Sequence, residues 1–475
     1  MNYSLQTARV LPEVILTLFG VGIMLAGPLI RRQRVLGYAA LAGLGAALLG
    51  ALALIHYRGS AFNGQILTDN FSIFFRVLFI LIAALVVSAS LDYLDHEGLQ
   101  SGEYYALILL GVVGQGLMAA SVELVMIFIA LEISSISTYI LAGYRRNDPR
   151  SSEASLKYFL LGSFATAFLL YGIALVFGAT GTTHLAGIRQ ALDKGPAPLV
   201  GLATALMFVG FGFKVAAAPF QVWLPDVYQG APMPVTALLS AGPKAAAFAV
   251  FLRVFLTGLA PAQSWFWLLW LSAVLSMFVG NLAALVQGNI KRMLAYSSIA
   301  HAGYVMVAFT ARSELGVAAA LFYLAAYALM NLGAFMVVSH FGNEGERYVN
   351  IEDYRGLAYK HPALAAALSL FLLSLIGVPL PGGFFGKFYI FRAALEARLT
   401  WLTVLAVVNS VVAAYYYLRV IVVMYMQEPA PDIPVLRLPP AVAFVLILTA
   451  TGTFYLGIFP GQVLAWATQS AGILK

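Results

Sequence analysis

Residues 210–234 read GFGFKVAAAPFQVWLPDVYQGAPMP, an apolar stretch that prolines and a lysine interrupt where a membrane span is expected. A second stretch, LIGVPLPGGFFGKFYIF at residues 375–391, repeats this combination. Proline removes a backbone donor and clashes one turn back, so each stretch predicts a helix that breaks within the membrane. Freed backbone groups at that depth need protein or water as partners, and paired broken helices are typical of a transport site. Two ordinary proline kinks are the alternative.

The rest of the chain is as apolar as these two stretches. Of its 475 residues, 61% are hydrophobic and only 10% are charged, whereas a soluble domain carries about 25% charged residues. A membrane span needs roughly 20 apolar residues. We therefore predict an all-α integral membrane protein of about fourteen transmembrane helices without a sizeable soluble domain. These spans are expected near residues 10–30, 35–55, 71–91, 104–120, 122–143, 156–178, 199–224, 235–257, 265–287, 292–310, 315–340, 362–394, 401–426 and 439–460.

Several function classes are excluded by composition and motifs. The net charge of +7 is better explained by basic loops that orient the chain in the membrane than by nucleic-acid binding. The absence of cysteine excludes cysteine-ligated clusters, thiol catalysis and disulfides. Because no Walker A or other phosphate-binding glycine motif is present, energy must come from a partner or an ion gradient. The first residues, MNYSLQTARVLPEVILTLFG, lack a cleavage site and predict a retained first span.

Basic residues predict the orientation of the spans. Cytoplasmic loops of membrane proteins carry an excess of Lys and Arg, and the loops after odd-numbered spans are the richer set here. We therefore expect these loops in the cytoplasm and both termini outside. The basic residues of these loops are Arg31, Arg32, Arg34, Arg145, Arg146, Arg150, Lys291, Arg292, Arg347, Arg355 and Lys360.

Four ionisable residues fall deep within predicted spans: Glu132, Lys214, Lys244 and Lys387. Each costs about 2.5–3.5 kcal/mol on insertion scales, so each must face the bundle interior, a partner or water. Burial favours the neutral form of such groups and an opposite charge favours the charged form. A lysine that is separated from a glutamate therefore tends to release its proton, and a row of these groups predicts a proton path. The alternative is one structural ion pair and two lysines bonded to backbone carbonyls.

Histidine is the other candidate relay residue. His301, in SSIAHAGY of the tenth span, can accept a proton at one nitrogen and donate at the other near neutral pH. A satisfied core histidine, or haem ligation together with His340, is the alternative. Weaker candidates are Glu13 and Glu123 at the membrane interface, Lys157 as an orienting or proton-uptake residue, Asp226 as a local cap or ion-pair partner, and His340 and His361 near cytoplasmic ends.

Long strings of this sequence resemble the antiporter-like subunits of respiratory complex I. The resemblance extends over about residues 100–430. Its strings are EASLKYFLLGSFATAFLLYG at 153–172, FGFKVAAAPFQVWLPDVYQGAP at 211–232, QGNIKRMLAYSSIAHAGYVMV at 287–307, IEDYRGL at 351–357 and GVPLPGGFFGKFYIF at 377–391.

The resemblance implies two inverted five-helix repeats, each with a broken helix. It places three N-terminal spans in residues 1–100, the first repeat in 101–260, the second in 261–428, and a last span and tail in 429–475.

The resemblance also implies roles for individual residues. Glu132 matches the family's fifth-span glutamate, and Lys214 matches its seventh-span lysine partner. Lys244 matches the connecting lysine of the eighth span, and His301 matches the central polar axis. Lys387 matches the exit lysine of the twelfth span.

Among the lettered members of this family, the chain is most similar to subunit N. The twelfth-span charge is a glutamate in subunit M but Lys387 here, and the long C-terminal extension of subunit L has no counterpart in the sequence. The resemblance implies proton translocation in a bacterial plasma membrane beside other antiporter-like subunits. NADH, FMN, iron–sulfur clusters and quinone would belong to partner subunits, with no cofactor in this chain. A subunit of a multi-subunit sodium/proton antiporter, or a structural membrane scaffold, remains the alternative.

Overall fold

A computed structural model describes residues 3–30, 32–99, 102–195, 198–262, 264–342, 344–429 and 437–474. These residues form a helical bundle with one short hairpin. The helices are α1 Tyr3–Ala8, α2 Leu11–Ala26, α3 Arg34–Ala53, α4 Asn70–His96, α5 Gly102–Ala120, α6 Leu124–Ala142, α7 Pro149–Thr180, α8 Leu185–Asp193, α9 Pro198–Val215, α10 Leu224–Gly230, α11 Met233–Arg253, α12 Trp265–Leu285, α13 Ile290–Thr310, α14 Glu314–Gly342, α15 Leu357–Lys360, α16 Pro362–Ile376, α17 Gly382–Glu396, α18 Thr400–Met426, α19 Pro440–Ile458 and α20 Pro460–Ser470.

Shorter helical turns and a hairpin connect these elements. Short 3₁₀ segments cover Leu54–His56, Glu344–Glu346, Ile351–Tyr354 and Ala471–Leu474, and a π-helical turn at Val254–Gly258 extends α11. The strands β1, Gly59–Ala61, and β2, Ile66–Thr68, pair antiparallel between α3 and α4. This hairpin was not predicted from the sequence, because three-residue strands are too short to show an alternating pattern.

The described helices confirm the predicted membrane fold. Twelve are long and apolar enough to cross a membrane, and two shorter apolar helices, α2 and α16, lie where the first and twelfth spans were predicted. The α16 helix continues after a break as α17, so the pair accounts for one span. Helices α11, α13 and α14 are buried along nearly their whole length at the centre of the bundle, whereas α2, α7 and α18 expose large apolar side chains.

Both predicted helix breaks are present. The α9 helix ends at Val215 and α10 begins at Leu224. Two serines of α12 satisfy the backbone freed between them: the Ala218 amide donates to Ser276 Oγ at 2.8 Å, and Ser272 Oγ donates to the Ala218 carbonyl at 2.6 Å. A break at membrane depth is therefore stabilised by protein groups, as the bilayer requires.

The second break separates α16 from α17. The α16 helix ends with Gly377 in the left-handed region at φ +91°, a conformation that glycine adopts without a Cβ penalty. Gly383 then packs so closely that an added Cβ would lie 1.9 Å from the Ser374 carbonyl oxygen. The Ile376 carbonyl, freed at the break, accepts hydrogen bonds from the side chains of Lys387 and Ser410.

Loops after odd-numbered spans meet at one end of the bundle. Glu97 follows the third span, and its carboxylate lies 2.7 Å from Arg145 after the fifth. Arg145 lies 3.7 Å from Glu346 after the eleventh. We refer to this end as the cytoplasmic end, in accordance with the predicted orientation. That orientation and the proposed repeat boundaries stay predictions, and Arg31 of the basic loops lies outside the described residues.

Candidate functional site: a buried series of lysines, hydroxyls and a histidine

Lys214 lies at the last turn of α9, beside the first helix break. Its ammonium donates to Ser135 Oγ at 2.7 Å and to the Tyr139 hydroxyl at 2.9 Å, both on α6. The rings of Tyr139 and Tyr158 lie 4.9 and 5.8 Å from the nitrogen. An ammonium is attracted to aromatic faces at such distances, so the site can hold a charged lysine without a carboxylate in contact.

Glu132 neighbours this lysine but does not bond to it. The carboxylate is on α6, one turn before Ser135, and the side chain is half-buried. Its Oε1 is buried without a hydrogen-bond partner, and no ion pair within 4 Å joins it to Lys214 among the described residues. Glu132 therefore influences Lys214 through its charge without a direct ion pair, and hydroxyl groups bind the lysine.

Lys244 is buried at the centre of the bundle. The side chain is 3% exposed, and its ammonium donates to both the carbonyl and the hydroxyl of Ser298 on α13, with the carbonyl at 3.0 Å. Tyr327 on α14 donates to the same serine hydroxyl at 2.8 Å. Ser298 therefore joins the lysine of one half to the aromatic residues of the other.

His301 follows Ser298 by about one turn of α13 and is equally buried. Its Nδ1 is hydrogen-bonded to the Tyr323 hydroxyl, and its Nε2 lies 3.1 Å from the Tyr417 hydroxyl. Tyr417 is also hydrogen-bonded to Ser297. Because both ring nitrogens face hydroxyl groups that can donate or accept, either neutral tautomer fits this position.

Lys387 completes the series in α17, beside the second break. Its ammonium donates to the Ile376 carbonyl and to Ser410 Oγ, both at 2.8 Å. The Tyr304 ring lies 4.8 Å from the nitrogen and 5.7 Å from the His301 ring. Tyr304 therefore stands between the histidine and the last lysine, with its hydroxyl buried.

The structure brings three of the five predicted residues into near-continuous contact. Lys244, His301 and Lys387 are linked through Ser298 and the tyrosines. Between Lys214 and Lys244 lies an aromatic cluster in which Tyr158 stacks on Trp223 at 4.5 Å, and no hydrogen bond of the described residues connects the two lysines. The hydroxyl groups that hold all three lysines were missed because serine and tyrosine in a span carry no charge signal.

Two weaker candidates act as local structural groups. Glu123 caps α6 by accepting from the backbone amides of Val125 and Met126. Asp226 bonds Lys157 at 2.7 Å and Arg292 at 2.8 Å.

Further ionisable groups are buried beyond the four that were predicted. Glu13 was expected at the membrane interface, yet it is 5% exposed and pairs with Arg76 of α4 at 2.6 Å. Arg253 makes two hydrogen bonds of 3.0 Å to Asp69. The position of Glu13 at the membrane interface stays a prediction, and its burial was not predicted because the packing of α2 against the bundle decides it.

Lys291, one of the basic residues of the loops predicted to be cytoplasmic, is also buried. It is 1% exposed and donates to Glu346 at 2.7 Å and to the Ala231 carbonyl at 2.8 Å. Glu346 also accepts from the Tyr93 hydroxyl at 2.7 Å. Burial tends to raise the pKa of Glu346, but Lys291 and Arg145 lower it below its usual value. We call Tyr93, Arg145, Lys291 and Glu346 the cytoplasmic ion cluster.

Comparisons with known proteins show the family to which this chain belongs. A sequence profile described as "NADH:quinone oxidoreductase/Mrp antiporter, TM" matches residues 121–413. NADH-quinone oxidoreductase subunit N 1 of Solibacter usitatus is 56% identical over 473 residues, which are 98% of this chain and 97% of that protein. Subunit N of Trichlorobacter lovleyi is 45% identical over 473 residues, with the same coverage.

Solved structures agree with the sequence relatives. A chain of Thermus thermophilus respiratory complex I with bound aureothin matches with a TM-score of 0.83 and 39% identity, over 96% of this chain and 98% of that one. A chain of the Mrp complex from Dietzia matches with a TM-score of 0.87 at 21% identity, over 98% of both chains, which shows a shared fold alone. This multi-pass membrane protein therefore belongs to the subunit N family of NADH-quinone oxidoreductases.

Proposed function

We propose that this chain moves protons across the bacterial inner membrane through Glu132, Lys214, Lys244, His301 and Lys387. Electron transfer from NADH to quinone would take place in partner subunits of the same complex and drive the movement. Flavin and iron–sulfur clusters would lie in those partners, in keeping with a sequence that contains no cysteine. Neighbouring antiporter-like subunits would flank the chain in the membrane.

The observation that carries this proposal is the set of acceptors around Lys244 and Lys387. Each lysine is buried and donates to one carbonyl and one serine hydroxyl, and no carboxylate lies within 4 Å of either among the described residues. A structural ammonium at this depth gains most from a paired anion. Neutral oxygen partners support the ammonium and the neutral amine alike, because the amine keeps two donors and gains an acceptor lone pair.

The order of residues suggests a direction for the proton. Lys214 adjoins Glu132, so a change in the charge or position of that carboxylate would alter the tendency of the lysine to release its proton. The proton would pass to Lys244 and, through Ser298 and the tyrosines around His301, reach Lys387. The α17 helix leads from Lys387 away from the cytoplasmic end, so release would occur outside. Passage from Lys214 to Lys244 would require water or side-chain motion past Tyr158.

Single replacement of each lysine by methionine in the assembled complex tests the proposal. Methionine keeps the apolar length of the side chain and removes the titratable nitrogen. We expect Lys214→Met, Lys244→Met and Lys387→Met to lower NADH-driven proton uptake into vesicles while the complex still assembles. Lys360→Met, at an exposed lysine of the cytoplasmic end, is the matched control. Normal pumping and normal coupled electron transfer in an assembled variant would exclude that lysine from the path.

The two alternatives give different outcomes in the same experiment. If the charges only hold helices together, methionine would reduce the amount of assembled complex, and each complex that remained would pump normally. If the chain instead served a sodium/proton antiporter without redox partners, affinity purification from membranes would recover it without flavin- and cluster-bearing subunits.

A further inference from the structure

Glu346 is the buried carboxylate of the cytoplasmic ion cluster, and the proposed proton path does not use it. We propose that Glu346 is a positioning residue: it holds the first turns of α11 and α13 together and thereby sets the contact between Lys244 and Ser298. This inference rests on the proposed role of Lys244 in proton transfer.

Three hydrogen bonds converge on the Glu346 carboxylate from three helices. Oε1 accepts from the Tyr93 hydroxyl of α4 at 2.7 Å and from the Met233 backbone amide at 2.8 Å. Oε2 accepts from Lys291 at 2.7 Å. Met233 is the first residue of α11, so its amide has no partner within the helix, and the carboxylate supplies the missing acceptor from a distant part of the chain.

The two helices that meet at Glu346 carry the two sides of the central contact. Lys244 lies roughly 16 Å along α11 from Met233, and Ser298 lies roughly 10 Å along α13 from Lys291, at about 1.5 Å per residue. Lys291 also donates to the Ala231 carbonyl, just after the second half of the broken seventh span. A shift of either helix start would therefore move the residues that follow it on that helix and alter the hydrogen bonds between Lys244 and Ser298.

The backbone of Glu346 has an unusual conformation that its surroundings must hold in place. Its φ is +51°, in the left-handed region that residues other than glycine seldom occupy. Such a conformation persists where surrounding contacts over-determine it, and it is enriched at functional positions. The residue is only 8% exposed.

Glu346→Gln in the assembled complex tests the inference. Glutamine keeps the size of the side chain but removes the charge that balances Lys291. We expect roughly a tenfold loss of NADH-driven proton pumping with unchanged KM for NADH, because small misplacements of reacting groups have large effects on rate, on the order of 100-fold per Å. Glu346→Asp, which keeps the charge, should recover part of the rate. Glu352→Gln, an exposed acid of the same connection, is the matched control and should pump normally.

A double-variant cycle separates positioning from a general structural role. If Glu346 acts through the Lys244–Ser298 contact, adding Glu346→Gln to Ser298→Ala should lower pumping no further than the more damaging single change. Normal pumping in Glu346→Gln, or losses that multiply in the double variant, would overturn the inference.

The remaining outcomes of this test depend on whether the variants assemble into the complex. If Glu346→Gln does not assemble, Glu346→Asp and the charge-balanced Lys291→Met/Glu346→Gln take its place in the same cycle. Failure of all three variants to assemble would assign Glu346 to structure alone and overturn the inference. Normal pumping in Lys244→Met would exclude Lys244 from the proposed path and so remove the step on which this inference rests, whereas loss in Lys244→Met with normal pumping in Glu346→Gln would refute only the positioning role.

Discussion

Replacement of Ser298 by alanine perturbs the centre of the proposed path at a single atom. The serine hydroxyl accepts from Lys244 and from Tyr327, and alanine removes this acceptor while leaving the backbone carbonyl that also bonds Lys244. Hydrogen bonds to charged groups contribute about 1.5–3 kcal/mol each. Loss of one would make the protonated Lys244 less favourable by roughly 10- to 100-fold, since about 1.4 kcal/mol corresponds to a factor of ten.

This magnitude predicts a kinetic defect with little effect on assembly. We expect Ser298→Ala to pump protons about tenfold more slowly, measured as quenching of a pH-sensitive dye in inverted membrane vesicles during NADH oxidation. The amount of complex should stay near normal because the serine is small and Ala fits its space. Ser152→Ala, at an exposed serine near the start of α7, should behave as wild type. A fully assembled Ser298→Ala complex with normal pumping would refute the reasoning.

Three further predictions concern buried groups whose partners the structure identifies. Glu13→Gln leaves Arg76 as an unpaired buried charge, so it should destabilise the chain by about 3–5 kcal/mol and lower the unfolding temperature of the detergent-solubilised complex. Gly383→Ala should reduce the yield of assembled complex, because its Cβ would meet the Ser374 carbonyl oxygen at 1.9 Å. Glu346 has a pKa below the usual 4.5, so its pairing stabilises the fold above that pH and is lost as pH falls through the folded-state pKa. The difference in unfolding temperature between wild type and Glu346→Gln should therefore shrink below about pH 4.5.

For each of these three variants, one experimental result would contradict the prediction. An unchanged unfolding temperature in Glu13→Gln would mean that the ion pair contributes little to stability. Normal yield in Gly383→Ala would mean that the second break tolerates a wider separation of its two halves. A wild-type advantage over Glu346→Gln that is constant from pH 7 to pH 3.5 would show that the carboxylate's charge does not stabilise the cluster.

The positions of the spans, the two helix breaks and the buried lysines could all be predicted from local sequence. Apolar length identifies a membrane span without reference to any other part of the chain. A proline breaks a helix through its own ring and missing donor, and a lysine within a long apolar stretch is conspicuous by its charge. The structure accordingly contains breaks at Val215–Leu224 and Ile376–Gly382, each with its lysine beside it.

The partners of these residues could not be predicted, because they come from distant segments. Lys214 bonds hydroxyls on α6 and not Glu132, and Lys244 bonds a serine of α13. The angle at which two helices pack, and the position of each along the other, decide which side chains come into contact. A shift of one residue along either helix would give each lysine different partners.

The sequence by itself determined a membrane bundle with two broken helices and lysines in its spans. The tertiary structure decided which charges are buried and what each one contacts. Glu346 shows the difference most clearly: in the sequence it is one acid in a polar connection, yet the fold places it under Tyr93 and against Lys291. The burial of a residue depends on which side chains from distant parts of the chain pack against it. The composition of the loop in which the residue lies carries no information about those side chains.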